Sequence, residues 1–395
     1  MDPMPVVLTP VFDARLRWAG LRLEGRSAEP LPADLAVRLA ERWQAAAAFP
    51  SPHFFLPFDP SWTDSPLPAG QTVLVLPALP ALQGETAAVC GVLRAKGIRL
   101  AVPGLPDATL RGLADIAVQP AASAMGALSD ETLRQASRGE FQLLAAEADS
   151  VEQVEWCAAN GFRFIHCRAM AYRPAAKGST PGSSRVLLLK LLSLVTQDAE
   201  TSELEQVFKQ EPKLAFDLLR LVNSASMGLQ TKIASFRQAI AILGRRQLRR
   251  WLQLLLFAPQ KEGAGGLGIL MQQAAARGRL MELLIAETLP GLSLDYREQA
   301  FMVGLFSQLD TLMGMSLAEL LPPLRLVEPV EHALLAREGE LGRLLALVEQ
   351  AEGRDMDGLG RSLQQLGVPD TAFNDAQAAT LAWVYRLGFS TQIIH

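Results

Sequence analysis

The sequence predicts an α/β domain, built as a layer or barrel, followed by an all-α domain. Three observations predict it. In residues 1–174 short β-like runs alternate with alanine-rich helical ones. From residue 186 onward the apolar residues recur with helical period and strand-like runs cease. Between the two, residues 175–185 read AAKGSTPGSSR, a stretch dominated by Gly, Ser and Pro. The expected division is a first domain at 1–174, a linker at 175–185 and a helical domain at 186–395.

Along the first domain, residues 6–11 and 16–23 read as strands around a turn at Asp13, 33–48 as a helix, and 53–58 and 72–76 as strands. A helix at 81–96 stops at Gly97 and hands over to a strand at 98–102. Strands at 115–118, 141–145 and 162–166 complete the series, with a helix at 151–160 that ends at Gly161. Alternation of this kind implies largely parallel strands. A domain of 174 residues is slightly short for a complete (β/α)8 barrel, so a trimmed barrel is expected. In the second half, Ser202-x-x-Glu205 reads as a capping box and Pro212 as the start of the next helix. Leu214, Leu218, Leu221 and Val222 form that helix's apolar stripe. Ser235-x-x-Gln238 reads as a second capping box, with Gly244 closing its helix. Further helices are expected at 272–287, 297–309, 331–337, 341–351 and 375–387.

At 395 residues, 49% hydrophobic and 20% charged, the chain is long enough for two or three packed domains and too apolar for disorder. Its net charge of −4 supplies no global positive field for nucleic acid or anionic lipid. Cys90, Cys157 and Cys167 lie scattered without CxxC spacing, which suggests a reducing compartment and no structural zinc. No basic segment followed by an apolar run opens the chain, and the longest apolar stretches, 186–195 and 251–258, are too short for a membrane span. A cytoplasmic protein without membrane contact is expected. The four histidines, His53, His166, His332 and His395, show no metal-ligand spacing, and no nucleophile elbow, Walker loop or GxGxxG occurs. No metal or cofactor is expected.

Residues 235–258, SFRQAIAILGRRQLRRWLQLLLFA, join two helices at Gly244, with Arg245, Arg246, Arg249 and Arg250 opening the second. A DNA-recognition helix needs a polar face that reaches base edges. Leu248, Trp251, Leu252, Leu254, Leu255 and Leu256 leave only a narrow stripe free, so a solvated face or docking patch is the better reading of these arginines.

Glu211-Pro212, then LLRLVNSASMG at 218–228, then Ile233-x-Ser235 and Gln238-Ala-Ile240-x-x-Leu243-Gly244 resemble the signature of the HDOD domain. Its signature positions here are Asn223, Ser224, Gly228, Ser235, Ala239, Leu243 and Gly244. The segments at 275–287, 300–310 and 333–347 agree, and the resemblance spans 186–395. It implies a fold similar to the HD phosphohydrolases and a role as an output module in bacterial signalling. Where those hydrolases carry a His-Asp pair, this chain has Ser307 and Gln308, and no histidine occurs between 261 and 300. The resemblance therefore implies a domain without HD chemistry. Asn223 and Ser224 read as a joint that ends one helix, or as an exposed docking loop.

The first domain resembles the EAL domain, a barrel that hydrolyses cyclic di-GMP. The likeness rests on PVFDARLRWAGLRLEGRS at 10–27, GIRLAVPGL at 97–105, ADIAVQP at 114–120 and residues 146–174. In that register the family's metal-binding Glu falls at Arg22, with Glu24 two residues on and on the same face. Its Asn falls near Pro57, its paired aspartates at Pro103 and Gly104, and its Lys and Asp at Val118 and Pro120. The family's final Gln-Gly falls at His166-Cys167. The resemblance thus implies a trimmed, degenerate (β/α) TIM-like barrel followed by an HD-like all-helical domain. Arg22, Arg26, Arg99 and Arg168 are candidates to meet phosphates without metal, or are surface and structural arginines. The functional expectation is a non-catalytic regulator that serves as a platform for other signalling proteins. A metal-independent cyclic di-GMP effector is the alternative, and a DNA-binding regulator a further one.

Overall fold

The computed structural model describes residues 4–25, 53–59, 68–76, 85–105, 114–167, 183–208, 210, 236–258, 265–289, 291–353 and 355–392. Eight strands close into a barrel in chain order: β1 (Val7–Phe12), β2 (Trp18–Glu24), β3 (His53–Pro57), β4 (Thr72–Val75), β5 (Arg99–Pro103), β6 (Ile116–Pro120), β7 (Gln142–Ala146) and β8 (Phe164–His166). Strands β2 to β8 pair parallel, and β1 runs antiparallel to both its neighbours. Every expected strand is present and the ring is complete, so the shortness anticipated from chain length does not lie in the strands. Alternation sorts the side chains. Val11, Phe55, Val73, Ala101, Ile116, Leu144 and Phe164 fill the barrel interior, while Phe54, Leu56, Leu74, Leu100 and Val102 face outward into a second apolar layer.

Helices α1 (Glu85–Ala95), α2 (Ala121–Ala127), α3 (Asp130–Ser137) and α4 (Val151–Ala159) lie among the strands. Of these, α2 and α3 are not legible as helices in the sequence. α3 has Thr132 as its buried side chain and no apolar stripe; its start is fixed by Ser129 Oγ, which accepts the Thr132 N–H at 3.2 Å. The helix expected at 33–48 lies outside the described residues.

Every described element after residue 182 is helical: α5 (Ser183–Thr196), α6 (Thr201–Phe208), α7 (Phe236–Phe257), α8 (Gly265–Thr288), α9 (Leu294–Phe306), α10 (Leu309–Met313), α11 (Leu317–Leu320), α12 (Glu328–Ala336), α13 (Gly339–Ala351), α14 (Met356–Gln365) and α15 (Asp370–Gln392). Two local expectations are corrected. Residues 183–185, read as the end of the linker, already belong to α5. Ser202 lies inside α6 rather than capping it, and the Glu203 carboxylate instead accepts the Glu200 N–H at 3.2 Å. α7 is broken at Gly244, which holds φ 74° and ψ 157°, a conformation that favours glycine. α14 contains Gly358 and Gly360, which weaken its sequence signal, and Asp355 secures its start by accepting the Gly358 N–H at 2.8 Å. α8 and α9 touch backbone to backbone. A Cβ on Gly304 would stand 2.6 Å from the Arg277 carbonyl oxygen, and one on Gly278 would stand 2.7 Å from that of Phe301.

The two halves meet along β1. That strand pairs with β2 over its whole length but with β8 only at Val11 and Phe12. Pro10, which has no N–H to give, stands where the second ladder stops. Beyond it, side-chain amides of α15 take the place of a neighbouring strand. Asn374 accepts the Val6 N–H at 2.9 Å and donates to the Met4 carbonyl at 2.9 Å. Gln377 accepts the Leu8 N–H at 3.0 Å and donates to the Val6 carbonyl at 2.5 Å. Residues three apart share a helix face, and alternate residues share a strand edge, so the two amides match the strand. From α8, Gln273 donates to the Cys167 carbonyl at 3.4 Å, and Gln272 accepts the Trp18 indole N–H. One apolar cluster runs from Leu143, Ala145, Val154 and Ile165 of the barrel into Leu270, Ala274 and Met281 of α8.

Replacing Asn374 or Gln377 with Ala leaves buried backbone groups of β1 without partners. Each substitution is expected to cost about 1–3 kcal/mol in urea unfolding.

Candidate functional site

The parallel strands β2 to β8 all end at one rim, the place where barrels of this architecture carry their chemistry. On each strand the residue two beyond the interior core also faces inward, one layer higher. These residues are Pro57, Val75, Pro103, Val118, Ala146 and His166, following Phe55, Val73, Ala101, Ile116, Leu144 and Phe164. Pro120 ends β6 and Gly104 follows β5 with φ 83°. On β2, Arg22 and Glu24 form an ion pair at 3.0 Å, each side chain about one-fifth exposed. His166 is 1% exposed, and its Nε2 lies 2.8 Å from Thr9 Oγ1 of β1. Burial first, and Arg22 second, hold its pKa well below the usual imidazole value, so it stays neutral. Cys167 follows with its thiol pushed up to about 12 by burial, which leaves it inert as a nucleophile.

Carboxylates at this rim that the sequence reading passed over are Asp59, just after β3, and Glu147 and Asp149, just after β7. Glu147 is exposed and holds φ 60°. An acidic residue directly after a barrel strand is the signal that would have found it. Among the described residues, no group of three or more His, Cys, Asp or Glu stands close enough to hold a metal ion.

Arg99 is not at this rim. It opens β5 at the opposite, N-terminal end of the barrel, four residues before Pro103 and roughly 13 Å down the strand. There it donates to Gln142 Oε1 at 2.5 Å. Of the four arginines named as candidates to meet phosphates, Arg22 and Arg99 therefore stand at opposite ends of the barrel. Arg26 and Arg168 lie outside the described residues.

In the helical half, α9 ends at Phe306, which places Ser307 and Gln308 at 6% and 2% exposure in the interior. Arg277 of α8, 7% exposed, reaches Ser307 across the Gly278–Gly304 crossing. Its Nη1 donates to Ser307 Oγ at 2.6 Å, and its Nε and Nη2 grip Glu352 at 2.9 and 2.5 Å. Burial works against this charge, but Glu352, Glu349 and Asp310 outweigh it and keep the guanidinium ionised. A fixed cation of the protein thus occupies the neighbourhood of Ser307.

The arginines after Gly244, read from the sequence as a solvated face or docking patch, also pair within the helical half. Arg246 and Arg249 both pair with Glu298 of α9. Arg250 binds Glu282 of α8 through two nitrogens at 2.9 and 2.8 Å, and its Cζ lies 3.7 Å from the Phe301 ring centroid. Arg245 donates to the Ala199 carbonyl at 2.6 Å. Ala239, Leu243 and Gly244 lie on α7, while Asn223, Ser224, Gly228 and Ser235 lie outside the described residues.

Residues 184–335 match the model of the HDOD domain, which places that domain in the helical half. The cyclic di-GMP phosphodiesterase CdgJ of Vibrio cholerae is 30% identical over 238 residues, covering 60% of this chain and 53% of that protein. The uncharacterized protein YuxH of Bacillus subtilis is 25% identical over 198 residues, covering 50% of this chain and 47% of that one. The chain thus spans about half the length of the curated relatives it matches. Among solved structures, the EAL domain of Mycobacterium smegmatis DcpA matches with TM-score 0.32 and 18% identity, covering 41% of this chain and 90% of that one. The calcium and cyclic di-GMP complex of Klebsiella pneumoniae BlrP1 matches with TM-score 0.32 and 13% identity, covering 42% and 54%. No helix among the described residues is long and apolar enough to cross a membrane.

Two outcomes are expected. Glu352→Gln leaves Arg277 without its main counter-charge and lowers stability by about 3 kcal/mol in urea unfolding. His53 has its pKa lowered from 6.5 to about 4, first by burial and then by Arg99 and Arg163. Between those values the unfolded imidazole takes a proton that the folded one refuses, so stability is lost as pH falls from about 6.5 towards 4. His53→Phe is expected to flatten that limb of the stability–pH curve.

Proposed function

We propose that the protein is a non-catalytic regulator of bacterial signalling, in which barrel and helical domain form a platform for other signalling proteins. The observation that carries this reading is the rim of the barrel. Five of its six inward positions hold Pro57, Val75, Pro103, Val118 and Ala146, none of which can ligate a metal or move a proton, and the sixth, His166, is buried against Thr9. Metal-dependent phosphodiester hydrolysis needs cations that steady the attacking and leaving oxygens, and carboxylates that hold those cations. Glu24 faces the same mouth but is bound to Arg22. In the helical domain Ser307 and Gln308 take the His-Asp positions, and Arg277 brings a guanidinium to the first of them. A site built around a fixed cation does not suit a metal ion. The reading keeps a barrel domain at 1–174, a linker at 175–185 and a helical domain at 186–395, with the linker's last three residues entering α5.

A second reading has a specific observation behind it. CdgJ, a relative, is named a cyclic di-GMP phosphodiesterase, and Arg22 puts a guanidinium beside the mouth. A metal-independent cyclic di-GMP effector would use that arginine on a phosphate. The DNA-binding reading has less support, because Glu298 and Glu282 already engage Arg246, Arg249 and Arg250.

Calorimetric titration with cyclic di-GMP, once with Mg²⁺ and once with EDTA, tests these readings together with an assay for linear product. No product is expected in either buffer. Binding that survives EDTA and is lost in Arg22→Ala would favour the effector, and absence of binding the platform. Turnover that requires Mg²⁺ would overturn both, and would direct attention to Glu24, Asp59, Glu147 and Asp149.

A further inference from the structure

The N-terminal end of the barrel, away from the mouth, carries an unbalanced charge. On alternate strands β3, β5 and β7 the residue two before the interior core is His53, Arg99 or Gln142, so these three share one layer. Arg99 and His53 flank the same ring: the Arg99 Cζ lies 5.7 Å from the Phe164 centroid, and the His53 ring meets Phe164 edge-on at 5.3 Å. Arg163 immediately precedes Phe164 and is exposed. The hydrogen bond of Arg99 goes to a neutral amide, Gln142 Oε1. His53 Nδ1 is buried with no partner. Arg163 has no ion pair among the described residues.

Asp13, Asp115 and Glu140 stand at this end; Glu140 is exposed, two residues before Gln142, and the other two are occupied. Asp13 binds Arg17 through Nε and Nη2 at 3.0 and 2.8 Å, and accepts the Arg15 and Arg17 N–H groups at 2.8 and 2.9 Å. Asp115 accepts Arg94 Nη2 at 3.2 Å and the Leu100 N–H at 2.9 Å. Asp115 favours the Arg99 charge from a distance but makes no ion pair with it, and a half-buried guanidinium without a direct carboxylate contact is costly. The cost falls when an anion supplies the missing charge and accepts the unused N–H groups.

We infer that the N-terminal end of the barrel is a binding site for a phosphate-class oxyanion, held by Arg99 and Arg163 with the His53 imidazole as a neutral donor. The free ion and the terminal phosphate of a nucleoside monophosphate share this chemistry. The site is independent of whatever the mouth binds, because the strands hold the two ends apart.

The test is thermal unfolding of the full chain titrated with inorganic phosphate, and separately with GMP, against chloride at equal ionic strength. A ligand that binds the native state raises the melting temperature saturably. Arg163→Gln changes an exposed side chain, and is expected to weaken the apparent affinity three- to ten-fold. Arg99→Gln is expected to weaken it more than ten-fold. In the wild type, the ¹⁵N resonances of the His53 ring should shift along the same titration curve. The probe with the tighter fit identifies the source of the oxyanion. A response of equal size in Arg163→Gln and Arg99→Gln, or no saturable response to either probe, overturns the inference.

Discussion

The structure depends on how the edge of β1 is completed. A barrel strand needs hydrogen-bond partners on both sides, and an open edge invites pairing with other chains. Here β1 has β2 along one side but only two residues of β8 along the other, and α15 supplies the rest through Asn374 and Gln377. The strand is therefore shared between the barrel and the helical domain. Separating the halves would expose the backbone of residues 4–8 and split an apolar cluster that runs through both. The same strand carries Thr9, whose hydroxyl holds His166 at the mouth. The helical domain thus fixes the strand that positions one wall of the mouth, which a flexibly tethered output domain would not do.

Charge is handled in a related way. The chain has seven lysines and thirty arginines, yet a net charge of −4. Buried and interfacial positions explain part of the preference, because a planar guanidinium can bind a carboxylate through two nitrogens and still lie against a ring. Arg250 does both, on Glu282 and Phe301. Arg277 binds Glu352 through two nitrogens and gives a third bond to Ser307. A lysine could offer the charge at these places but not the geometry. Read as a linear run, Arg245 to Arg250 suggests an exposed basic edge. In three dimensions the glutamates of α8 and α9 cover much of it.

What the sequence reveals and what it hides follow from the range of the interactions. The strands are legible because alternation is local, and each one falls within a few residues of its expected place. α8, α9, α13 and α15 are legible because each carries long apolar stretches. α3 is not, since a cap rather than a stripe fixes it, and α10 and α11 are too short to show a period. The rim positions Arg22, Pro57, Pro103 and Val118 could be named from a resemblance, but the separation of Arg22 from Arg99 depends on the direction of the strands. Nothing in the local sequence of Asn374 and Gln377 marks them as partners of residues nearly the whole chain away. Nor does Gln272 or Gln273 announce its bond to the barrel.

The two ends of the barrel differ in a way that a shared scaffold does not require. In a parallel barrel the ends of the strands are free to carry polar groups, while the interior between them must be filled. At the C-terminal end this chain places three prolines, two valines and an alanine that face inward, and an arginine already matched by Glu24. Proline there removes a backbone donor as well as a polar side chain. At the N-terminal end it half-buries Arg99 and His53 beside Phe164, at an electrostatic cost. Apolar side chains in those positions would fill the same space without that cost. Selection for stability alone favours such a replacement, so retaining a half-buried guanidinium against a neutral amide is a reason to look for what it binds.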